Sequence, residues 1–442
     1  MPRRSEGQTD RSKTDANAVQ TVGELFSDGC QIELLADPAN RSKTRLLLWD
    51  GHSAKIGPTC EHDGRTYHPV ALSRTFLEAT RLPVGRGKQV DAAKLFAKIS
   101  TELSRRLGLA VDDADRCTFY CVSSWFADVL PILPSLWTAG ADTTHLVKVM
   151  RLVACFCRRP LLIGAVARSA WGFVAESRPT LLLFDAGVSA GMEVALQASP
   201  YRGLLSLDAQ GAHNFCFSKA VFSQTNAVDS SLVGGGAVQV TLASDHALPL
   251  GLADHELNQV SDEYQPILLA YRLANFEKVQ KCKFDVPEFT FPTRAAAAAL
   301  GACVVRDLGL TARLITLLRW QDEAARAERC MSPHSSLVEV LLGLVHKAMG
   351  KKAYQAKSVT VQEVTKYLNT LLRSRGGIRQ YSAEDVGWLL KKLCVPKTRS
   401  GAGMQIFLGD KTARHIHGLA LSYGVSAIEA SGLKCRDCHG EG

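Results

Sequence analysis

Apolar positions along this chain change their spacing several times, and each change predicts a different kind of element. Across residues 31–81 short apolar runs, Gln31-Ile-Glu-Leu-Leu35, Thr44-Arg-Leu-Leu-Leu-Trp49 and Arg65-Thr-Tyr-His-Pro-Val70, are separated by Gly, Pro and Asp turns. That pattern predicts a small β-rich unit. Ala92, Leu95, Phe96, Ile99 and Leu103 then recur at helical spacing within 91–107, and 116–129 reads as a second helix. From 134 to 250 the period alternates. Strand-like runs (Pro160-Leu-Leu-Ile163, Pro179-Thr-Leu-Leu-Leu-Phe184, Ala220-Val-Phe222, Ala237-Val-Gln-Val-Thr241) are interleaved with helical stretches at 144–157 and 168–177. Alternation of this kind predicts a mostly parallel sheet with helices on both faces. Residues 265–278 and 294–329 are expected to be helical, as a lid or linker.

The C-terminal pattern is more specific. An amphipathic helix at 335–349 precedes the short β-like Ser358-Val-Thr-Val361. Thr360 with Glu363 forms a capping box for a helix to about Arg375, and Gly376-Gly377 forces a turn. Ser382 starts the next helix, which has Glu384 and Asp385 in its first turn and Lys391-Lys392 in its last, the order the helix dipole favours. A Gly-containing basic tip, Pro396-Lys-Thr-Arg-Ser-Gly-Ala-Gly403, leads into the strand Met404-Gln-Ile-Phe-Leu408. Helix, strand, helix, turn, helix, hairpin is the order of a winged helix. Asp410 caps a last helix to Tyr423. The expected organisation is a disordered tail (1–20), a β-rich unit (21–90), an α/β core with its helical entry (91–260), a helical lid or linker (261–333), a winged-helix domain (334–425) and a tail (426–442).

Charge sharpens this picture. The chain carries a net +9, yet the segment from Lys347 to Arg414 holds 14 Lys and Arg against 4 Asp and Glu, a net of +10. One segment therefore accounts for the whole basic balance, as expected of a nucleic-acid footprint; a solvated basic surface, or a winged helix used for protein contacts, is the alternative. The expected contacts are Arg373, Arg375, Arg379, Lys391, Lys392, Lys397 and Arg399, with duplex DNA as the partner.

Thirteen cysteines without a secretory pattern fit reduced thiols in a cytoplasmic protein. The most apolar window, 146–166, is broken by Arg151, Arg158 and Arg159, which excludes a spanning helix and a membrane partner. Cys60, His62 and His68 have spacing that a metal tolerates, although strand-end histidines are commonplace. Near the end, Cys435-Arg-Asp-Cys438-His439 matches the c-type haem string, but zinc held by Cys435, Cys438 and His439 is better chemistry for thiolates two residues apart. A metal-free tail is the expectation, with zinc there as the alternative, and no other cofactor is expected. No G-x-S-x-G or H-E-x-x-H motif is present, and Gly85-Arg-Gly87 with Lys88 lacks the third glycine of a dinucleotide site.

The segment order from Trp49 to Tyr423, with Arg158-Arg-Pro-Leu-Leu162, Arg178-Pro-Thr-Leu-Leu-Leu183 and Leu269-Ala-Tyr-Arg-Leu-Ala-Asn-Phe-Glu-Lys278, resembles the P-loop helicase-like ATPases of bacterial and phage mobile elements, of the primase-associated type. The resemblance implies an α/β core that is a degenerate RecA/AAA-like P-loop fold. It places the phosphate loop G-x-x-x-x-G-K-S/T at Gly140-Ala-Asp-Thr-Thr-His145-Leu146-Val147, where His145, Leu146 and Val147 supply neither the second glycine, the lysine nor the hydroxyl. The acidic pair is reduced to Asp185 after Phe184, and Val233-Gly-Gly-Gly236 stands where an arginine finger belongs. The expectation is a nucleic-acid-binding pseudo-ATPase, an accessory or scaffold factor in replication or maintenance of a mobile element, with a homo-oligomer or replication and helicase proteins as partners. Two alternatives remain: an active atypical ATPase around Lys148, Asp185 and Arg202, and a DNA-binding transcription regulator.

Overall fold

The computed structural model describes residues 17–164, 171–184, 196–208, 211–214, 216–224, 236–242, 251–330, 332–349, 358–401 and 403–425. The chain divides into two compact units, Met1–Leu318 and Arg319–Gly442.

The first unit opens with β1 (Ala18–Thr21), β2 (Gly23–Leu25), β3 (Gln31–Ala36), β4 (Thr44–Trp49), β5 (Ala54–Gly57), β6 (Cys60–His62) and β7 (Arg65–Pro69). They form a four-stranded antiparallel sheet, β2-β3-β4-β5, and a three-stranded sheet, β1-β7-β6. Helices α1 (Arg74–Ala79), α2 (Ala92–Leu107) and α3 (Val111–Ser124) follow. Asp91 caps α2 by accepting from the Lys94 N–H, and Gly108 ends it at φ 64°, a left-handed conformation that suits glycine.

The α/β core is built from β8 (Ser135–Ala139), α4 (Thr143–Ala154), β9 (Pro160–Ile163), α5 (Trp171–Ser177), β10 (Thr180–Phe184), the hairpin β11 (Leu205–Asp208) and β12 (Gly211–Asn214), then β13 (Lys219–Ser223) and β14 (Ala237–Thr241). Five strands form one parallel sheet in the order β14-β8-β13-β10-β9. Their apolar runs are continuous because both faces are covered. Leu136, Leu182, Ala220, Phe222 and Val238 join one buried cluster with residues of α3, α4 and the following long helix. Trp137, Leu181, Leu183 and Val221 join another with Val174 and Leu196.

That long helix, α6 (Asp254–Gln280), starts well before the expected Gln265 and runs through the expected boundary at 260/261. Its start was hard to read because Ala253 has no capping side chain; Glu256 instead accepts from the Ala253 N–H at 2.9 Å. Pro266 sits inside α6, and its carbonyl accepts from the Gly87 N–H at 2.8 Å. A Cβ at Gly87 would lie 2.8 Å from the Pro266 carbonyl carbon, so the Gly85-Arg-Gly87 segment is a close packing contact. The single expected helix at 294–329 is two, α7 (Phe291–Ala302) and α8 (Leu308–Cys330), and the division between the units falls within α8.

The second unit continues with α9 (Pro333–Met349), β15 (Ser358–Thr360), α10 (Val361–Ser374), α11 (Ala383–Lys392), β16 (Thr398–Ser400), β17 (Gly403–Phe407) and α12 (Asp410–Tyr423). Its three strands pair antiparallel in the order β15-β17-β16. Leu337, Leu341, Val364, Leu368, Val386, Leu390, Ile406 and Ile416 fill its core. Full burial of each such aliphatic side chain contributes about 2 kcal/mol before entropy is counted.

Among the described residues no helix is long and apolar enough to cross a membrane. The described cysteines are free thiols. Cys117 and Cys121 are buried on one face of α3, and burial pushes both thiols up, which keeps them neutral and inert.

Candidate nucleic-acid interface

Two capping boxes set the helices of the second unit. Thr360 Oγ1 accepts from the Glu363 N–H while the Glu363 carboxylate accepts from Thr360 N and Oγ1. Ser382 and Asp385 repeat the arrangement at α11. These hydrogen bonds hold both carboxyls below their usual range. The turn between α10 and α11 is closed by Gly376 at φ 80° and by Gly377, whose N–H donates to Leu372 O at 2.8 Å. Asn369 then pins the chain by exchanging hydrogen bonds with the Tyr381 backbone at 2.8 Å.

With α11 held this way, Val386, Leu389, Leu390 and Leu393 turn inward. The opposite face presents Glu384, Trp388, Lys391 and Lys392 to solvent. Trp388 is 55% exposed, and the Lys392 ammonium lies 3.9 Å from its ring centroid. Exposing an indole forgoes a large burial energy, so an aromatic here is available to stack on a partner. Trp388 is not among the contacts expected from the sequence, although its place off the 386/389/390/393 stripe carries that signal. A groove of about 500 Å³ runs beside it, walled by Thr360, Glu384, Trp388, Lys391, Lys397 and Met404.

The expected cations differ in availability. Arg373, Arg379, Lys391, Lys392 and Arg399 are exposed. Arg379 lies over the Tyr381 ring at 4.7 Å, and Arg399 sits on the hairpin opposite Met404. Arg375 pairs with Glu339 at 2.8 Å. Lys397 is half-buried and donates to Gly387 O within α11; a Cβ at Gly387 would lie 3.2 Å from that ammonium. Lys397 thus ties the hairpin to α11.

In the first unit, the segment matched to a phosphate loop follows β8. A helix N-terminus cradles phosphate with free backbone N–H groups. Here Asp142 caps α4, its carboxylate accepting from the Thr144 N–H at 2.7 Å, so an internal anion occupies that position. Gln224, just past β13, donates to Thr143 Oγ1 at 2.6 Å and to Ala141 O at 3.5 Å, bridging the crevice between two strand ends. Gly140 is pressed against Leu242, where a Cβ would lie 3.0 Å from Leu242 Cβ. His145 is buried with Nε2 3.3 Å from Leu107 O, Leu146 is fully buried and Val147 half-buried. Lys148 is half-buried on α4, whereas Arg202 donates to Ala127 and Leu130 carbonyls ahead of β8. Asp185, residues 233–235, and Cys435, Cys438 and His439 lie outside the described residues.

One metal-capable group occurs among the described residues: Asp28, Cys30 and His62, with ligand atoms within 4.8 Å of one another. His62 Nε2 is 3.2 Å from the Asp28 carboxylate and its ring lies 4.0 Å from that of Phe26. Cys60 and His68, spaced suitably in sequence, are not in this group; Cys60 is buried in the β-rich core.

No family model matches this chain, and no curated protein is similar to it. Among solved structures it is similar to an A-form apo structure of the NrS-1 C-terminal region, at 10% identity over 85% of this chain and 96% of that one, with a TM-score of 0.30. A second structure of that region gives 7% identity, 86% and 96% coverage and the same TM-score. Likeness at that level carries no weight for fold or function.

Proposed function

We propose that this chain binds duplex DNA through a winged helix formed by α9 to α12, and that it also carries a P-loop-like core that does not hydrolyse nucleotide. The observation that carries the reading is the exposed face of α11 and its hairpin, where Trp388, Lys391, Lys392 and Arg399 stand free of acidic side-chain partners among the described contacts. In this reading α11 enters a groove and the hairpin is the wing, with cations at the end of α11 and on the wing meeting phosphates. The parallel sheet with β8 in its interior supports a RecA-like core, and the capped, bridged end of β8 supports loss of the nucleotide site. A part as accessory or scaffold factor in replication or maintenance of a mobile element follows from the sequence resemblance.

The test is fluorescence anisotropy with duplex DNA across a salt series. The five exposed cations of the expected set that lack an acidic partner among the described residues contribute about −4.5 to the log–log slope, at about −0.9 for each phosphate contact. The Lys391→Glu/Lys392→Glu/Arg399→Glu variant should weaken binding and flatten the slope by about 2.7. Unchanged binding in that variant overturns the winged-helix assignment, and magnesium-dependent ATP turnover by the wild type overturns the pseudo-ATPase. Binding confined to one short operator favours a transcription regulator.

A further inference from the structure

We infer that the first unit holds a binding site for a phosphate-type dianion in the cleft at the amino ends of β9, β10 and β13. Parallel α/β sheets ordinarily receive ligands at the carboxyl ends of their strands, so this site is separate from the degenerate nucleotide position and does not rest on the DNA-binding reading. The cleft, about 300 Å³, is lined by Asp128, Arg158, Arg159, Arg178, Arg202 and Cys216 among others.

Beneath it lies a buried ion network. Glu33 receives Arg158 at 2.6 Å, Arg272 at 2.7 Å and Arg159 at 3.1 Å. Asp128 receives Arg272, at 2.7 Å through one of its oxygens, and Arg158 at 3.1 Å. Both carboxylates are thereby spent on three guanidiniums. Arg178 adds a fourth, donating to Gly23 O at 3.2 Å with the Glu24 carboxylate 4.0 Å away. Arg202 adds a fifth, which among the described residues donates to the neutral carbonyls of Ala127 and Leu130. Among the described residues Glu24 is the remaining acid on the wall, so there positive charge exceeds negative by two. Burial keeps the Cys216 thiol neutral.

Arg159 is the telling member. It is 4% exposed, yet its Nε has no hydrogen-bond partner among the described residues. Burial and the adjacent Arg158 together pull its guanidinium down to about 9. A buried, half-satisfied cation is costly unless an anion completes it. Arg159 and Arg178 also enter their strands at φ 48° and 42°, a strained conformation for arginine of the kind that persists at ligand clamps. Guanidinium forks match phosphate oxygens, and an excess of two charges favours a dianion over a carboxylate. An adjoining cavity of about 640 Å³ shares Glu24, Arg178 and Cys216 and adds Glu176, which leaves room for the organic part of a phosphate monoester.

Isothermal titration of the full chain with inorganic phosphate and with a nucleoside 5′-monophosphate, at ionic strength matched with chloride, tests this. Saturable phosphate binding is expected. It should weaken at least tenfold in Arg159→Gln and in Arg178→Gln, and stay unchanged in Lys391→Glu/Lys392→Glu. Tighter binding of the monophosphate supports occupation of the adjoining cavity, and equal affinity supports a bare phosphate group. Should Arg159→Gln fail to fold, the half-exposed Arg178 still carries the test. Absence of saturable binding, equal binding by wild type and Arg178→Gln, or loss only in the α11 variant overturns the proposal.

Discussion

Replacing Glu33 by Gln keeps the side chain's shape and removes one charge from the centre of the first unit. Glu33 lies on β3 and is 2% exposed, so its ion pairs with Arg158, Arg159 and Arg272 are shielded from solvent. After the change, three guanidiniums face Asp128 alone, and the new amide adds donors where acceptors are needed. Removing one partner of a buried pair costs about 3–5 kcal/mol. The lowered carboxyl of Glu33 points to a cost of the same order. Burial alone would raise its carboxyl, but the guanidiniums of Arg158, Arg272 and Arg159 hold it at about 2 against an ordinary 4.5. At 1.36 kcal/mol per unit of pKa that difference corresponds to about 3 kcal/mol.

The sign follows from the lowered folded value. The stability due to Glu33 is complete above pH 4.5 and is lost as pH falls towards 2. Urea unfolding followed by tryptophan fluorescence is the assay, because Trp125 is buried and its carbonyl accepts from Arg272. Hydrogen exchange assigns the transition to the first unit, since a chain of two units need not unfold in one step. Glu33→Gln should lose about 3 kcal/mol at pH 7 and show a shallower decline than wild type between pH 4.5 and 2. A loss below about 1 kcal/mol at pH 7, or parallel pH profiles, refutes the reasoning.

The second unit should weaken in mild acid. His346 and His417 are buried with Nε2 atoms 3.2 Å apart, and His417 Nδ1 lies 2.7 Å from Ala413 O, so a neutral pair shares one proton between the Nε2 atoms. Burial and then His417 lower the His346 value, so this contribution is whole above the unfolded histidine pKa of about 6.5 and declines below it. A melting temperature of the second unit that is flat from pH 7.5 to 5.5 contradicts the assignment. Ser382→Ala breaks the capping box of α11 and should cost about 1 kcal/mol, seen as faster amide exchange in the first turn of α11. Lys397→Ala should loosen the hairpin, read as proteolysis near 397–403, while the salt slope of DNA binding stays put. A slope reduced by about one would show that Lys397 meets phosphate instead.

Much of the fold was legible because it is written in local signals. Uninterrupted apolar runs at 160–163 and 180–184 mark strands of a sheet covered on both faces. The spacing of Thr360 to Glu363 and the polar start at Ser382 mark two helix entries. The start of α6 was missed for want of a capping side chain at Ala253, and the break between α7 and α8 because the composition on both sides favours helix.

What the residue order determined by itself was the kind and succession of elements and the uneven distribution of charge, since periodicity, capping and composition act over a few residues. Only tertiary structure decided which charges are spent and which remain. Glu33 meets Arg272 across 239 positions, Lys397 turns into α11 while Lys391 faces water, and Arg158 and Arg159 line a cleft at the amino ends of the strands. The energy of an ion pair depends on distance and burial in the folded molecule, and neither is encoded in local spacing.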